Sequence, residues 1–426
     1  MDAKNLLHLA QKRHFDAVEV YEIHSHSQPI CFEANRLKQI EVSEVRGRAL
    51  RIWYNGCAGV AVAYGDFNPD DLIDKALSIA QLNEPETVHL NSNNRLIYQE
   101  KFTPSSLEQL INEGRRALDL IKQSFPDAIS SLDIEIETET TTIVNSQGLY
   151  CQYTDHNISS SLGVELVKDE DFLGIYDGTY SRDTLSLDNV INNIFTRLKW
   201  AKNNSRVKTK QMPILFTNNA VTILWEIISE ALNGKKIIDK SSPWCESMGK
   251  QVISPLISIS QQTDFQPYNC PFDDEGTPCQ NYDLIKQGKI ANFYGDLKSA
   301  RQLGINPTGN GFRPSLGAYP APDLVNLVVA KGADNFQKMV ESIEYGLIID
   351  QVLGNEADIS GDFSLNVDLG YLVRHGEIIG RVKDTMVTGN IYQALQSITN
   401  VGNDNTWNGS CYTPAVIVDS LSVVSD

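Results

Sequence analysis

No Cys-x-x-Cys pair occurs among the seven cysteines, Cys31, Cys57, Cys151, Cys245, Cys270, Cys279 and Cys411, which excludes a zinc ribbon and a thioredoxin-like redox motif. Their odd number and wide scatter imply reduced thiols and a cytoplasmic protein. No apolar run approaches the roughly 18 residues that a membrane span needs, and the opening MDAKNLLHLAQKRHF lacks the apolar core of a signal peptide, so no membrane partner is expected. Basic residues are in deficit: 36 Lys and Arg stand against 54 Asp and Glu, a net charge of −18. A phosphate backbone is repelled by such a surface on average, so no nucleic-acid partner is expected. The phosphate cradle Gly-x-x-x-x-Gly-Lys-Ser/Thr is missing. The glycines Gly304, Gly309 and Gly311 come without its lysine or its helix start and read as a loop. Gly-x-Ser-x-Gly is missing too, and seven histidines leave little material for a catalytic triad.

What is present is a chain of 426 residues, 41% apolar, long enough for two or three domains with real cores. Leu6, Leu7, Leu9 and Ala10 give a first helix its apolar face. From Ala17 the period changes to two: Val18 and Val20 alternate with Glu19, Tyr21 and Ile23, the mark of a half-buried strand. Further β runs follow, and Asn55-Gly56 between RIWY and CAGVAVAY marks a hairpin, because both turn positions need positive φ. DDLIDKALSIAQL is an amphipathic helix with acids in its first turn. Residues 84–104, polar and containing Pro85 and Pro104, read as a linker. A second long helix starts after Ser105 or Ser106, and two strand runs turn at Gln147-Gly148. The helix in LSLDNVINNIFTRLKWAKNN ends in a polar tail, Asn203 to Ser205, that places a boundary near residue 205.

Beyond it, MPILFT reads as a short buried strand and residues 218–233 as a helix closed by Gly234. The rest is rich in short β segments with tight turns at Gln287-Gly288 and His375-Gly376. The expected fold class is α+β. An N-terminal domain over 1–205 would pack antiparallel strands with helices, and a C-terminal domain over 206–426 would be mainly antiparallel β with a few helices.

Candidate chemistry is sparse. His24 and His26 share one face of a strand, an arrangement able to hold a metal, but no third ligand is in view. Cys270 and Cys279 flank an acidic loop and read as plain thiols. The most informative helix contains Trp225-Glu226-Ile227-Ile228-Ser229-Glu230, which stacks Glu226 and Glu230 at i and i+4 on one face. Two such carboxylates could share a proton or hold a hard cation, but a solvated helix face explains the spacing equally well.

Several segments, in order, resemble the PmbA/TldD family. They are DAVEVYE, LKQIEVSEVRGRALRIWYNGCAGVAVA, VNSQGLYCQYTDHNISSSLGVELV, PFDDEGTPCQNYDLIKQGKIANFYGDLKSARQLGINPTGNGFRP and SGDFSLNVDLGYLVRHGEIIGRVKDTMVTGNIYQALQSITNVGND. In the zinc-bearing TldD branch a helix carrying His-Glu-x-x-x-His supplies two imidazoles and a general base. Here Glu226 keeps the glutamate, while Trp225 and Glu230 stand at the two histidine positions. A cysteine ligand of that branch lies near Cys411, which sits out of register just before Pro414. The resemblance is therefore to the metal-free branch, PmbA or TldE. It implies no catalytic residue, no metal ligand and no cofactor in this chain. It also implies pairing with a TldD-like zinc subunit, a homodimer when isolated, and an extended peptide as substrate. The alternative it leaves is a stand-alone peptide-binding or regulatory protein of the DNA gyrase modulator type.

Overall fold

The computed structural model describes residues 1–92, 94–103, 105–168, 171–353 and 357–425. It is an α+β structure dominated by antiparallel sheets, as the patterning implied. The chain divides into two compact units. One comprises Met1–Ile191, Cys270–Cys279 and Gly295–Asp323; the other comprises Asn192–Asn269, Gln280–Tyr294 and Leu324–Asp426. This departs from the linear boundary expected near residue 205. The polar tail that suggested it is tied into the second unit, where the Ser205 amide donates to the Arg381 carbonyl at 2.7 Å. A composition shift marks a loop, but not the unit to which that loop is bonded.

In the first unit the long strand Ala17–Glu33 lies between Ser43–Tyr54 and Ile129–Asn145, antiparallel to both, with Val20 opposite Leu50 and Val144. The hairpin to Cys57–Tyr64 turns at Asn55 (φ 51°) and Gly56 (φ 77°), as the Asn-Gly pair requires. Side chains cap the helices that cover one sheet face: Asp2 accepts from the Asn5 amide ahead of Ala3–Gln11, and Asn68 from the Asp70 amide ahead of Pro69–Ala80. Their stripes, led by Leu6, Ala10, Leu72 and Ile73, bury against Val18, Leu50 and Ile52. Gly59 sits directly beneath Pro69–Ala80, where a Cβ would meet the Ala76 carbonyl and the Ala80 amide. Ser106 forms a complete capping box with Gln109 at the start of Leu107–Ser124.

The supposed linker 84–104 instead contributes a strand, Arg95–Gln99, running parallel to Tyr150–Lys168. It joins through backbone hydrogen bonds while its side chains stay mostly exposed, so it carries no apolar alternation to read. Ala17–Glu33 also differs from a half-buried strand at its start. Glu19 and Tyr21 are buried as deeply as Val18 and Val20. Their face is covered by the two later segments, with Phe272 and Leu316 packed on Tyr21, Ala49, Ile143 and Cys151. Glu19 Oε1 meets the Arg51 guanidinium at 2.8 Å and that of Arg313 at 2.5 Å.

Acidic side chains hold these segments by accepting from the backbone. Asp273 Oδ1 accepts from the amides of Glu275 (3.0 Å) and Thr277 (2.8 Å), and its Oδ2 from Gly311 (2.8 Å). Asp274 accepts from the Arg313 amide at 2.7 Å, and Glu275 from Leu297 at 2.7 Å. Burial raises Asp273 to about 7 and pushes Glu275 well above the carboxylate range. Gly304 (φ 67°) closes the helix Leu297–Leu303 that starts in this region, so that glycine is a helix cap.

In the second unit the strand Lys210–Phe216 pairs in parallel with Tyr345–Leu353 and antiparallel with Val416–Ser425. Asp362–Arg374 pairs with both Tyr345–Leu353 and Thr385–Asn390, which closes this seven-stranded sheet on itself. A second sheet of six short strands includes Leu327–Val329, Thr406–Asn408 and Cys411–Thr413. The turns at Gln287-Gly288 and His375-Gly376 both have positive φ at each position, as expected. The helix Thr222–Leu232 ends at Asn233, and Gly234 opens a new helical turn, Gly234–Ile238, whose Lys235 amide is capped by Asn233. Gly234 is therefore a start and not the stop its type suggested.

Two outcomes follow. Gly59→Ala forces the helix above it outward and should cost about 1–3 kcal/mol in a denaturant titration, with the far-UV spectrum retained. Asp273 and Glu275 keep protons in the folded state that the unfolded chain releases at lower pH. Stability is therefore lost as pH rises toward and through their raised values, by up to about 1.4 kcal/mol per pH unit for each proton. His156, lowered by burial, acts in the opposite direction. For Asp273 the loss is spread between the unfolded carboxylate value of about 4 and about 7, so unfolding free energy should fall as pH rises across that window.

Candidate functional site

The helix Thr222–Leu232 follows the strand Lys210–Phe216 through a short turn. It is apolar on most sides, with Ile223, Leu224, Ile227 and Ile228 buried, and this fixes its rotation. Trp225 is 1% exposed, and its indole Nε1 donates to Thr413 Oγ1 at 2.8 Å. The Thr413 hydroxyl passes its own hydrogen to the Pro414 carbonyl at 3.1 Å. Glu226, the next residue, is turned to the surface. Glu230, one turn on, lies half-exposed at 3.4 Å from the Lys236 ammonium.

Asparagines fasten the hairpin Thr406–Asn408/Cys411–Thr413 to the start of this helix. Asn218 Nδ2 donates to the carbonyls of Asp404 (2.7 Å) and Thr413 (2.8 Å), and Asn408 Nδ2 donates to that of Asn219 (2.9 Å). This clamp brings half-buried Cys411 into the field of Glu226. Burial, and then the Glu226 carboxylate, push the Cys411 thiol up to about 12, so it stays protonated at neutral pH.

Of the residues singled out in the sequence, Glu226 acts on Cys411 through its charge. The structure leaves Trp225 in the core and directs Glu230 to Lys236. Cys411, which looked out of register, lies on the hairpin that Asn218, Asn408 and Thr413 fasten to the helix and the turn before it. Thr413, Asn218 and Asn408 were not singled out; a buried tryptophan needs an acceptor, but nothing in the sequence says which. His24 Nε2 meets Glu44 at 2.8 Å and His26 is exposed. Among the described residues no three His, Cys, Asp or Glu side chains gather where they could hold one metal ion.

Residues 209–425, more than half of the sequence, match the family model for the PmbA/TldA metallopeptidase C-terminal domain, and the chain belongs to the PmbA/TldD family. It is 31% identical over 185 residues to a metalloprotease TldD homolog of Buchnera aphidicola, covering 43% of this chain and 38% of that protein. It is 26% identical over 221 residues to metalloprotease PmbA of Escherichia coli O157:H7, covering 51% and 47%. The matches thus span less than half the length of these curated relatives. The crystal structure of TldE from Thermococcus kodakarensis shares the fold, with a TM-score of 0.87 at 21% identity over 99% of both chains.

Trp225→Phe keeps most of the buried ring but removes the donor to Thr413. It should destabilise the protein by about 1–2 kcal/mol in a denaturant titration, while Glu230→Gln at the exposed ion pair should cost less than about 1 kcal/mol.

Proposed function

We propose that this chain is the non-catalytic, TldE/PmbA-like subunit of a TldD/TldE-type metallopeptidase acting on unfolded or modified peptides. One observation carries the reading. The two positions flanking Glu226 that would present imidazoles are committed elsewhere, Trp225 to a buried hydrogen bond with Thr413 and Glu230 to Lys236. Among the described residues no three His, Cys, Asp or Glu side chains gather around Glu226, and the Cys411 thiol in its field stays protonated. Such surroundings do not fit zinc, which is held by four ligands in structural sites and by three protein ligands in catalytic ones. The zinc and the general base would then come from a TldD-like partner in a heterodimer. This chain would homodimerise when isolated and would work in the cytoplasm.

A peptide in extended form is the substrate class that suits the reading, because short strands offer main-chain hydrogen bonds without demanding a side-chain sequence. The test is a cleavage assay on an unfolded protein substrate with zinc present. It compares this chain alone, the His-Glu-x-x-x-His protein recovered with it from its own cell, and the mixture. Cleavage should require the partner and survive Glu226→Gln in this chain. Comparable cleavage by this chain alone would overturn the proposal. Failure to recover any such partner would favour the stand-alone binding role.

A further inference from the structure

The segment Cys270–Cys279 enters the first unit and turns back on itself. Phe272 bridges antiparallel to Pro278, and the Cys279 amide donates to the Pro271 carbonyl at 3.2 Å. The turn thus closes at its neck, and the thiols of Cys270 and Cys279 come within hydrogen-bonding reach of each other. Each also faces a carbonyl at 3.2 Å: Cys270 that of Phe272, and Cys279 that of Gly309. Both residues are half-buried. Between them lies Asp273, whose carboxylate ties the loop to Gly311.

Two thiols held in contact across the neck of a closed loop already satisfy the proximity that a disulfide requires. We propose that Cys270 and Cys279 are a redox modification site, which closes to an intramolecular disulfide by exchange with a small-molecule disulfide of the glutathione type. The hydrogen bond that the Cys279 thiol donates to the Cys270 sulfur, together with burial, keeps Cys279 protonated, so Cys270 attacks first. Its thiolate bonds to one sulfur of the reagent and expels the other half as a thiolate, which takes up a proton. Cys279 then loses its proton, attacks the Cys270 sulfur of the mixed disulfide and expels the second thiol. Overall two protein thiols and one disulfide give one protein disulfide and two small thiols, with the two electrons passing to the reagent.

The site can be read on the native protein, because the tryptic peptide from Gln251 to Lys286 contains Cys270 and Cys279 and no other cysteine. The protein is incubated with oxidised glutathione, its remaining thiols are blocked with N-ethylmaleimide, and the peptide is weighed. The expected species is two hydrogens lighter than the reduced peptide, carries neither glutathione nor maleimide, and reverts with dithiothreitol. Cys279→Ser should instead keep glutathione on Cys270, because no second thiol resolves it. Full maleimide labelling of both cysteines, a lasting glutathione adduct on the native chain, or a link from either residue to a different cysteine would each overturn the proposal.

Discussion

The hydrogen bond from the Trp225 indole to Thr413 sets the character of the candidate site. An indole N–H buried without an acceptor costs about 1–3 kcal/mol, so a tryptophan on this helix is tolerable only where a strand supplies one. Thr413 does so from the end of the hairpin that Asn218 and Asn408 pin to the turn before the helix. The helix is thereby locked in rotation. With Trp225 facing inward, the next residue must face outward about 100° further round, which puts Glu226 at the surface. The same clamp puts Cys411 beside it. The exposure of the one retained motif residue thus follows from the burial of its neighbour.

A similar exchange of roles explains the acidic run in the first unit. The carboxylates of Phe272-Asp273-Asp274-Glu275 spend their oxygens on amides of an irregular crossing. Strands pair their own amides through a ladder, whereas the segments around Gly276 and Gly311 have almost none. Three amides left unpaired in this core would cost several kcal/mol together. Asp273 alone accepts from all three, and the raised pKa is the electrostatic consequence of placing that acceptor out of water. Gly311 is confined to glycine by the same packing, since a Cβ there would strike the Glu275 carboxylate.

What could be read from the chain followed from local chemistry. Asn55-Gly56, the N-cap at Ser105 or Ser106 and the turn at His375-Gly376 depend on neighbours a few residues away; the cap falls on Ser106, and both turns appear where their residue types demand. Arg95–Gln99 escaped because a strand held mainly by backbone bonds leaves no pattern in side-chain polarity. Glu19 looked like the solvent side of a strand because its cover, including Arg313, comes from nearly three hundred residues later. Gly234 misled because a glycine after a helix usually takes the left-handed cap, while here Asn233 restarts a helix. At the candidate site, Trp225, Glu226 and Glu230 were legible as positions, but the acceptor Thr413 and the approach of Cys411 depend on the hairpin clamp.

The state of Cys411 bears on whether the site could be rescued by a soft ion arriving alone. A thiol binds such an ion as thiolate, so binding must first displace its proton. Burial, and then the Glu226 carboxylate, hold that proton up to about 12, so the thiolate is scarce at neutral pH. An ion with two charges recovers much of the cost of displacing it when imidazoles complete its shell, because the ligands jointly replace its water. With an indole and a lysine-paired carboxylate at the flanking positions, there is no such shell to repay the cost.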